Sequence, residues 1–446
     1  MNIKEIAHAL GLASDKEQKL QHFAIDSREV APGGLFFALP GEKVDGHQFL
    51  REAAKRGAIA AIVSKEYQGE DFGLELLRVG DVRLALHLLA KQAYVLRKEK
   101  VIAITGSMGK TTTKEFLACL LEGKFRVGKT EKSHNSQLTL PLTILNLQKD
   151  YDFLVLEMAM SEKGQIAKLV DIAPPDLAIV TRIAPAGIEG LKGGLEAIAE
   201  AKGEIFSQGR TKWGIISAQA AGYAPILYGG SSSKVLYGWE RDFLDARVGD
   251  YVMKESKGAL TIREKDGSHS PEISLSFEGH HLWENFLAAA AAARMLGLSW
   301  ADIGARASLL RPFSNRFEKF QRGGITFIQD SYNANPDSMR AAFENLPKGK
   351  GKVIGVLGSM PDLGVSSSDF HEEIGDLAQK HFDALFCIGE EAKGIAQSFA
   401  NGGKPSDHFA TLSSLKKELF DRIVPGDVVL IKGGNYLKLW EVLSEV

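Results

Sequence analysis

The stretch VIAITGSMGKTTTKEF, residues 101–116, constrains the fold more than any other. A run of β-formers stops at Thr105, a Gly–Ser–Met–Gly–Lys–Thr turn follows, and helical composition begins at Lys110. Strand, glycine-rich turn and helix in that order are what a phosphate-binding loop requires. Gly106 and Gly109 let the backbone curl so that several N–H groups point inward, and the N-terminus of the following helix adds its dipole. Lys110 can reach the β- and γ-phosphates of a nucleotide, and the Thr111 hydroxyl can ligate Mg²⁺. The longer form of the motif places a further glycine where this chain has Ile104, so the match is to GxxGKT.

Around this loop, strand and helix patterns alternate at the spacing of a parallel sheet. At 446 residues the chain is long enough for about three domains. The patterns divide it at 1–98, 99–313 and 314–446. In the middle block strands are expected at 101–105, 153–157, 177–181 and 214–217, with helices at 110–122, 163–172 and 195–207. Residues 233–277 alternate polar and apolar positions between glycines and read as a small antiparallel insertion. The last block repeats the βαβ pattern, with strands expected at 325–330, 352–357, 384–388 and 427–431.

A net charge of −2 gives no broad electrostatic reason to bind nucleic acid or a membrane surface. The two cysteines, Cys119 and Cys387, form no CxxC pair, which fits a reducing cytoplasm. The N-terminus lacks an apolar signal region, and no uninterrupted apolar run reaches the length of a membrane span. A cytoplasmic protein without membrane insertion is expected.

A phosphate-binding loop needs a carboxylate on a neighbouring strand to hold Mg²⁺. Glu157, ending FLVLE, has that placement, with a solvated strand-end glutamate as the lesser reading. His134, His280 and His281 read evenly as surface, core or functional histidines. By composition Lys202, in EAIAEAKGEIF, is a surface lysine. The segment DSYNANPDS, 330–338, leaves an apolar strand and runs into a helix start, with Asn335 as N-cap and Pro336 near the first helical position. It reads as an ordinary connecting loop or, being at a strand's C-terminal edge, as a ligand loop.

These residues carry a resemblance. The stretches DSREVAPGGLFFALPGEKVDGHQF, TGSMGKTTTKE, LTLPLTIL, GLEAIAEAKGEIF, NRFE and DSYNANPDSMRAA, in that order, are similar to motifs of the Mur ligase family. Within it, DSYNANPDSMRAA resembles the branch acting on D-alanyl-D-alanine. The resemblance implies an α/β fold of three domains: a small N-terminal UDP-sugar domain, a central P-loop ATPase domain with a parallel sheet plus a small antiparallel sheet, and a C-terminal Rossmann-like domain. It implies an ATP-dependent amide ligase with UDP-N-acetylmuramoyl-tripeptide and D-alanyl-D-alanine as partners, working as a monomer. Thr105, Gly106, Ser107, Met108, Gly109, Lys110, Thr111 and Thr112 would form the ATP loop. Asn285, Arg316, Asn333 and Asn335 would contact ATP, the two loop asparagines its adenine. Thr111 and Glu157 would hold Mg²⁺, and Lys202 would be a carbamylated metal ligand. Asp26, Ser27, Arg28, Gly46 and His47 fall in the UDP-sugar region. Asn135 would face substrate, and Asp330 and Ser331 would lie near the reacting groups.

The chain departs from the family pattern in places. Gly187 stands where a metal-binding histidine is usual, which leaves the second of two Mg²⁺ sites in question unless Glu189 substitutes. A residue is inserted at 191–194. Gln329 replaces an acid beside Asp330, GSMPDLG replaces GDMLELG, and KGGN replaces KGSR. The rival readings are a Mur-type or polyglutamate-type ligase with another amine, and a nucleotide-binding protein with weak or no ligase activity.

Overall fold

The computed structural model describes residues 1–446 apart from 42, 43, 149, 187–192, 244–247, 348, 445 and 446. Gly187, Glu189 and the first half of the 191–194 insertion therefore lie outside the described residues.

The described residues build three sheets. The first has four parallel strands, in the order His22–Ala24, Gly34–Phe37, Ala58–Ser64 and Glu75–Val79. Side chains alternate along each strand. Leu35, Phe37, Ile62 and Leu77 pack on one face with Leu86 and Leu89 of the helix Val82–Val95, and Phe36, Ala61 and Val63 pack on the other. Asn146 ties this unit to the next. Its amide donates to the Phe23 carbonyl (2.8 Å) and accepts from the Phe23 N–H (2.9 Å), pairing like a strand residue.

The second sheet has eight strands. In spatial order they are Ala259–Glu264, Tyr251–Ser256, Ser233–Trp239, Trp213–Ser217, Leu177–Val180, Lys100–Thr105, Phe153–Glu157 and Val127–Lys129. All neighbours run parallel except the first pair. The antiparallel element expected over 233–277 is thus centred on a hairpin, Tyr251–Ser256 with Ala259–Glu264, whose second strand also bridges antiparallel to His269 and Ile273, and it extends the main sheet rather than standing apart. Ser233–Trp239 finds an open parallel edge at Trp213–Ser217. Helix Lys110–Leu121 packs under helix His280–Met295, where Ala288 to Ala293 are all fully buried and small enough to allow a close approach.

The third sheet orders its six strands Glu318–Arg322, Ile325–Gln329, Val428–Lys432, Val353–Gly358, Ala384–Ile388 and Ser406–Phe409. Only the first is antiparallel to its neighbour. Glu318–Arg322 was not expected from sequence, because a short, charged, half-exposed edge strand lacks the apolar run that marks its neighbours. Helices cover both faces, with Met339, Ile374 and Ile395 on one side and Leu415 and Leu419 on the other. Open α/β sheets of this type bind ligands at the C-terminal edges of their strands. Among the described residues no helix is long and apolar enough to cross a membrane.

Candidate active site

Strand Lys100–Thr105 lies in the interior of the central sheet, so the loop after it opens between two neighbours. Two glycines shape it. Gly106 has φ +146°, and a Cβ there would come within 1.9 Å of the Thr181 hydroxyl, which itself holds the loop by bonding the carbonyls of Thr105 (3.1 Å) and Met108 (2.5 Å). Gly109 has φ +80°, and a Cβ there would meet Asn285 Oδ1 at 2.2 Å. Only glycine fits either place. Helix Lys110–Leu121 begins at Gly109 with no side chain capping it, so its first N–H groups are free for an anion. Gly106→Ala should cost on the order of 3 kcal/mol of stability and abolish nucleotide binding, as thermal unfolding and ADP titration would show.

Register places Glu157 beside Ile104, one strand over from the loop. Glu157 and Thr111 are both 1 % exposed. The Thr111 hydroxyl donates to Glu157 Oε2 at 2.8 Å and lies 3.0 Å from the Ser133 hydroxyl. Asn135 Nδ2 donates to Glu157 Oε1 at 2.7 Å. From the third unit the Arg316 guanidinium reaches across to Thr111 Oγ1 (3.1 Å) and Ser133 Oγ (3.3 Å), with the Tyr332 ring 4.2 Å beneath it. Its buried Nε has no partner. These are hard oxygen donors on a shielded carboxylate, which suits a small divalent cation. Among the described residues no three His, Cys, Asp or Glu side chains cluster. A cation here would complete its shell with phosphate oxygens and water, as Mg²⁺ commonly does.

Two lysines share one acceptor. Lys110 Nζ donates to the Gly106 carbonyl at 2.8 Å, and Lys202 Nζ donates to the same oxygen at 3.1 Å. Burial pulls the pKa of Lys110 down, the Glu157 charge opposing this and Arg316 adding to it. Lys202 is only 3 % exposed, which corrects its reading as a surface lysine. Burial, then the charge on Lys110, hold its pKa well below the usual range for an amine.

Asp330 stands at the end of strand Ile325–Gln329. Its Oδ2 accepts from Lys432 Nζ at 2.6 Å and its Oδ1 from the Phe317 N–H at 3.1 Å. Lys432 is buried and also donates to the Asn333 carbonyl at 3.3 Å, so it braces the loop that Asp330 opens. Asn335 caps helix Pro336–Glu344 by accepting from the Ser338 N–H at 2.9 Å, as the sequence predicts. The Asn333 side chain accepts from the Ala334 N–H at 2.9 Å.

One cavity of about 270 Å³ gathers most of the expected residues: Ser107 to Thr112, Asn135, Glu157, Asn285, Arg316, Asp330, Asn333 and Asn335. Thr105 is buried beneath the loop, and Gly106 and Lys202 lie behind its wall. Ser331 is fully buried and bonded by the Gln329 amide, away from the opening. Ser133, Tyr332 and Lys432 line the cavity but were not singled out from sequence, although Ser133 lies two residues before Asn135, Tyr332 lies within DSYNANPDS and Lys432 opens KGGN. His281 lines it too. A second cavity of about 480 Å³ adjoins it through Met108, Gly109 and Asn285 and is walled by Trp239, Arg241 and Arg182.

The N-terminal residues form a separate group. Asp26 caps the short helical turn Ser27–Glu29 and pairs with the exposed Arg28 at 2.6 Å, and the Ser27 hydroxyl donates to Glu52 at 2.9 Å. Gly46 approaches the Leu39 backbone, where a Cβ would lie 2.6 Å from the carbonyl oxygen. His47 contacts Asp45 through Nδ1 (2.6 Å) and accepts from the Ser64 N–H through Nε2 (3.0 Å), so both ring nitrogens serve the fold.

His281 meets the Phe317 ring edge-on, and its Nδ1 is buried without a partner. Burial pushes its pKa down to about 4, the Asp330 charge opposing and Lys432 reinforcing the shift. Below about pH 6.5 the unfolded chain takes up a proton that the folded chain refuses, so stability falls as pH drops toward 4 and then levels off. The full effect is about 3 kcal/mol. His281→Asn should flatten the unfolding midpoint between pH 7 and pH 4.

Comparison with known proteins decides the family. Three family profiles match in order: "Mur ligase family, catalytic domain" over residues 19–94, "Mur ligase middle domain" over 104–293, and "Mur ligase, glutamate ligase domain" over 315–435. A Synechocystis protein named UDP-N-acetylmuramoyl-tripeptide–D-alanyl-D-alanine ligase is 32 % identical over 96 % of this chain and 92 % of its own length. The chain belongs to the Mur ligase family. Among solved Mur ligases, MurF from Acinetobacter baumannii superposes with a TM-score of 0.84 at 27 % identity, covering 99 % of this chain and 97 % of that one. The Thermotoga maritima MurF ligase, solved in complex with ADP, superposes with a TM-score of 0.78 at 29 % identity, covering 95 % and 96 %. The three-sheet architecture is therefore that of a Mur ligase from end to end.

Proposed function

We propose that this chain joins D-alanyl-D-alanine to UDP-N-acetylmuramoyl-tripeptide at the expense of ATP, forming the pentapeptide precursor of peptidoglycan. The observation that carries the chemistry is the meeting in one cavity of Lys110, Thr111 and Glu157 from the central sheet with Arg316 and the Asp330–Lys432 pair from the third. The full-length likeness to the Synechocystis ligase supports the choice of substrates.

The terminal carboxylate of the tripeptide attacks the γ-phosphorus of ATP, and ADP leaves. The amine of D-alanyl-D-alanine, having lost its proton, then attacks the acyl carbon. Phosphate departs and the amide remains. Attack by a carboxylate on a polyanion is repelled unless cations neutralise it. Lys110 and Arg316 supply fixed positive charge, and the N-terminus of helix Lys110–Leu121 supplies N–H groups. Thr111 and Glu157 would hold Mg²⁺, with Asn135 orienting the carboxylate. When bound, that ion acts as a Lewis acid and as a clamp on the phosphates. Lys202, whose burial opposes protonation of its amine, would become a carbamate and so an acidic ligand for a second ion. Asn285 borders both cavities beside Gly109, a position suited to the nucleotide. Asn335 is engaged as a helix cap through its carbonyl, leaving its amide N–H₂ for the base. Closure of the units would exclude water from the acyl phosphate.

We further infer domain boundaries at 98/99 and 313/314, a cytoplasmic location and a monomeric enzyme, since one chain supplies every residue named here. Asp26, Ser27, Arg28, Gly46 and His47 would shape the UDP-sugar site, with His47 fixing the loop rather than touching the ligand.

Incubation with ATP, UDP-N-acetylmuramoyl-tripeptide and D-alanyl-D-alanine should yield pentapeptide by mass, with one phosphate released per amide. Folded, ADP-binding protein that makes no such product would refute the assignment, and a panel of other amines would then identify the nucleophile.

A further inference from the structure

We propose that Lys114, which has no surface in the cavity, is a positioning residue that holds the metal-binding end of the site through the loop Thr130–Asn135. This rests on the ligase reading above.

Lys114 sits one turn beyond Lys110 on helix Lys110–Leu121 and is wholly buried. A buried ammonium group is costly unless its three N–H bonds are all met. Here they are. Lys114 Nζ donates to the Thr130 carbonyl at 2.6 Å and to the Lys132 carbonyl, and it lies 3.1 Å from Glu115 Oε1. Glu115 is fixed in turn by Lys129 at 2.5 Å. Two of the three partners are backbone carbonyls of one loop, so the lysine acts as a clasp on that loop's path.

The loop would not take this path unaided. Lys132 has φ +46°, a left-handed conformation that a side chain adopts at a cost of about 1 kcal/mol. It lies in a tight turn closed by His134 N–H to Glu131 O at 2.9 Å. What the turn delivers is the surroundings of Thr111 and Glu157. Thr130 Oγ1 accepts from the Glu157 N–H at 3.1 Å, Ser133 Oγ meets Thr111 Oγ1 at 3.0 Å, and Asn135 Nδ2 donates to Glu157 Oε1 at 2.7 Å. The Asn135 carbonyl accepts from the Ala159 N–H at 2.9 Å, closing the loop onto the strand that carries Glu157. Ser133 and Asn135 therefore bond the two side chains proposed to hold Mg²⁺, Thr130 bonds the backbone of one of them, and Lys114 holds the loop that carries all three.

A lysine that only stabilised the fold would lower the unfolding midpoint when removed and leave metal affinity alone. A positioning lysine changes metal affinity. The test uses full-length wild type, Lys114→Met and Thr130→Val. It measures Mg²⁺ binding in the presence of ADP by calorimetry, and the Mg²⁺ dependence of phosphate release beside the KM for D-alanyl-D-alanine. Lys114→Met should weaken Mg²⁺ binding about tenfold and raise the Mg²⁺ half-saturation in parallel, with the KM for the dipeptide changed less than about twofold. Thr130→Val keeps the clasp and loses only the acceptor for the Glu157 N–H. It should shift Mg²⁺ affinity the same way by about threefold, and it carries the test should Lys114→Met fail to fold. Mg²⁺ affinity unchanged in whichever variants fold, while wild type binds magnesium nucleotide, overturns the proposal alone. Wild type that binds no magnesium nucleotide overturns the ligase reading and this proposal together.

Discussion

Lys110→Ala should lower substrate-dependent phosphate release by about three orders of magnitude, to background, while UDP-substrate binding stays within about twofold of wild type. The ammonium is placed at the mouth of the glycine loop, 2.8 Å from the Gly106 carbonyl and facing the helix N-terminus where phosphates would lie. Burial has already removed much of its hydration, so its charge acts at full strength on a developing phosphoryl transition state. The residues proposed for the UDP-sugar lie in another unit, around Ser27 and His47, and do not depend on it. Lys110→Arg should not restore the rate, because a forked guanidinium does not fit where a compact ammonium shares the Gly106 carbonyl with Lys202. Steady-state phosphate release and equilibrium binding of the UDP-tripeptide would measure both halves, and undiminished turnover would remove Lys110 from the chemistry.

Lys202→Ala should cost roughly two to three orders of magnitude in turnover. Bicarbonate should not rescue it, whereas acetate or propionate should restore part of the rate by placing a carboxylate where the carbamate would stand. The structure favours the neutral amine that carbamylation needs, because burial and the charge on Lys110 both oppose protonation. The same shift has a stability consequence. The folded chain holds the Lys202 proton less tightly than the unfolded chain does, so the unmodified Lys202 destabilises the fold at neutral pH, and the cost lessens as pH rises toward the ordinary lysine range. Lys202→Met should therefore be inactive yet at least as stable as unmodified wild type near pH 7, by thermal unfolding. A variant with wild-type turnover would end the carbamate reading, and one that is merely unstable would make Lys202 structural.

Much of this site was legible in order along the chain, because it is built from local rules. A turn that needs positive φ needs glycine, so Gly106 and Gly109 announce the loop. The apolar runs FLVLE and ITFIQ announce buried strands, and their ends place Glu157 and Asp330. Asn335 and Pro336 announce the helix they cap. Other features were hidden because their signal is weak at short range. The edge strand Glu318–Arg322 is charged, and the strands after residue 233 alternate polar and apolar whether they join the main sheet or stand apart.

What the sequence determined alone is the string of dihedral and burial preferences that makes a P-loop between a buried strand and a helix, and the order of motifs that places the chain among the Mur ligases. What only the tertiary structure decided is which charged groups lose water and to whom they are given. Lys202 reaches the Gly106 carbonyl across 96 residues, Lys432 reaches Asp330 across 102, and Arg316 reaches Thr111 across 205. A lysine on an alanine-rich helix reads the same whether it ends in solvent or in the core. The difference is made by segments far along the chain, whose packing removes the solvent and supplies the acceptor.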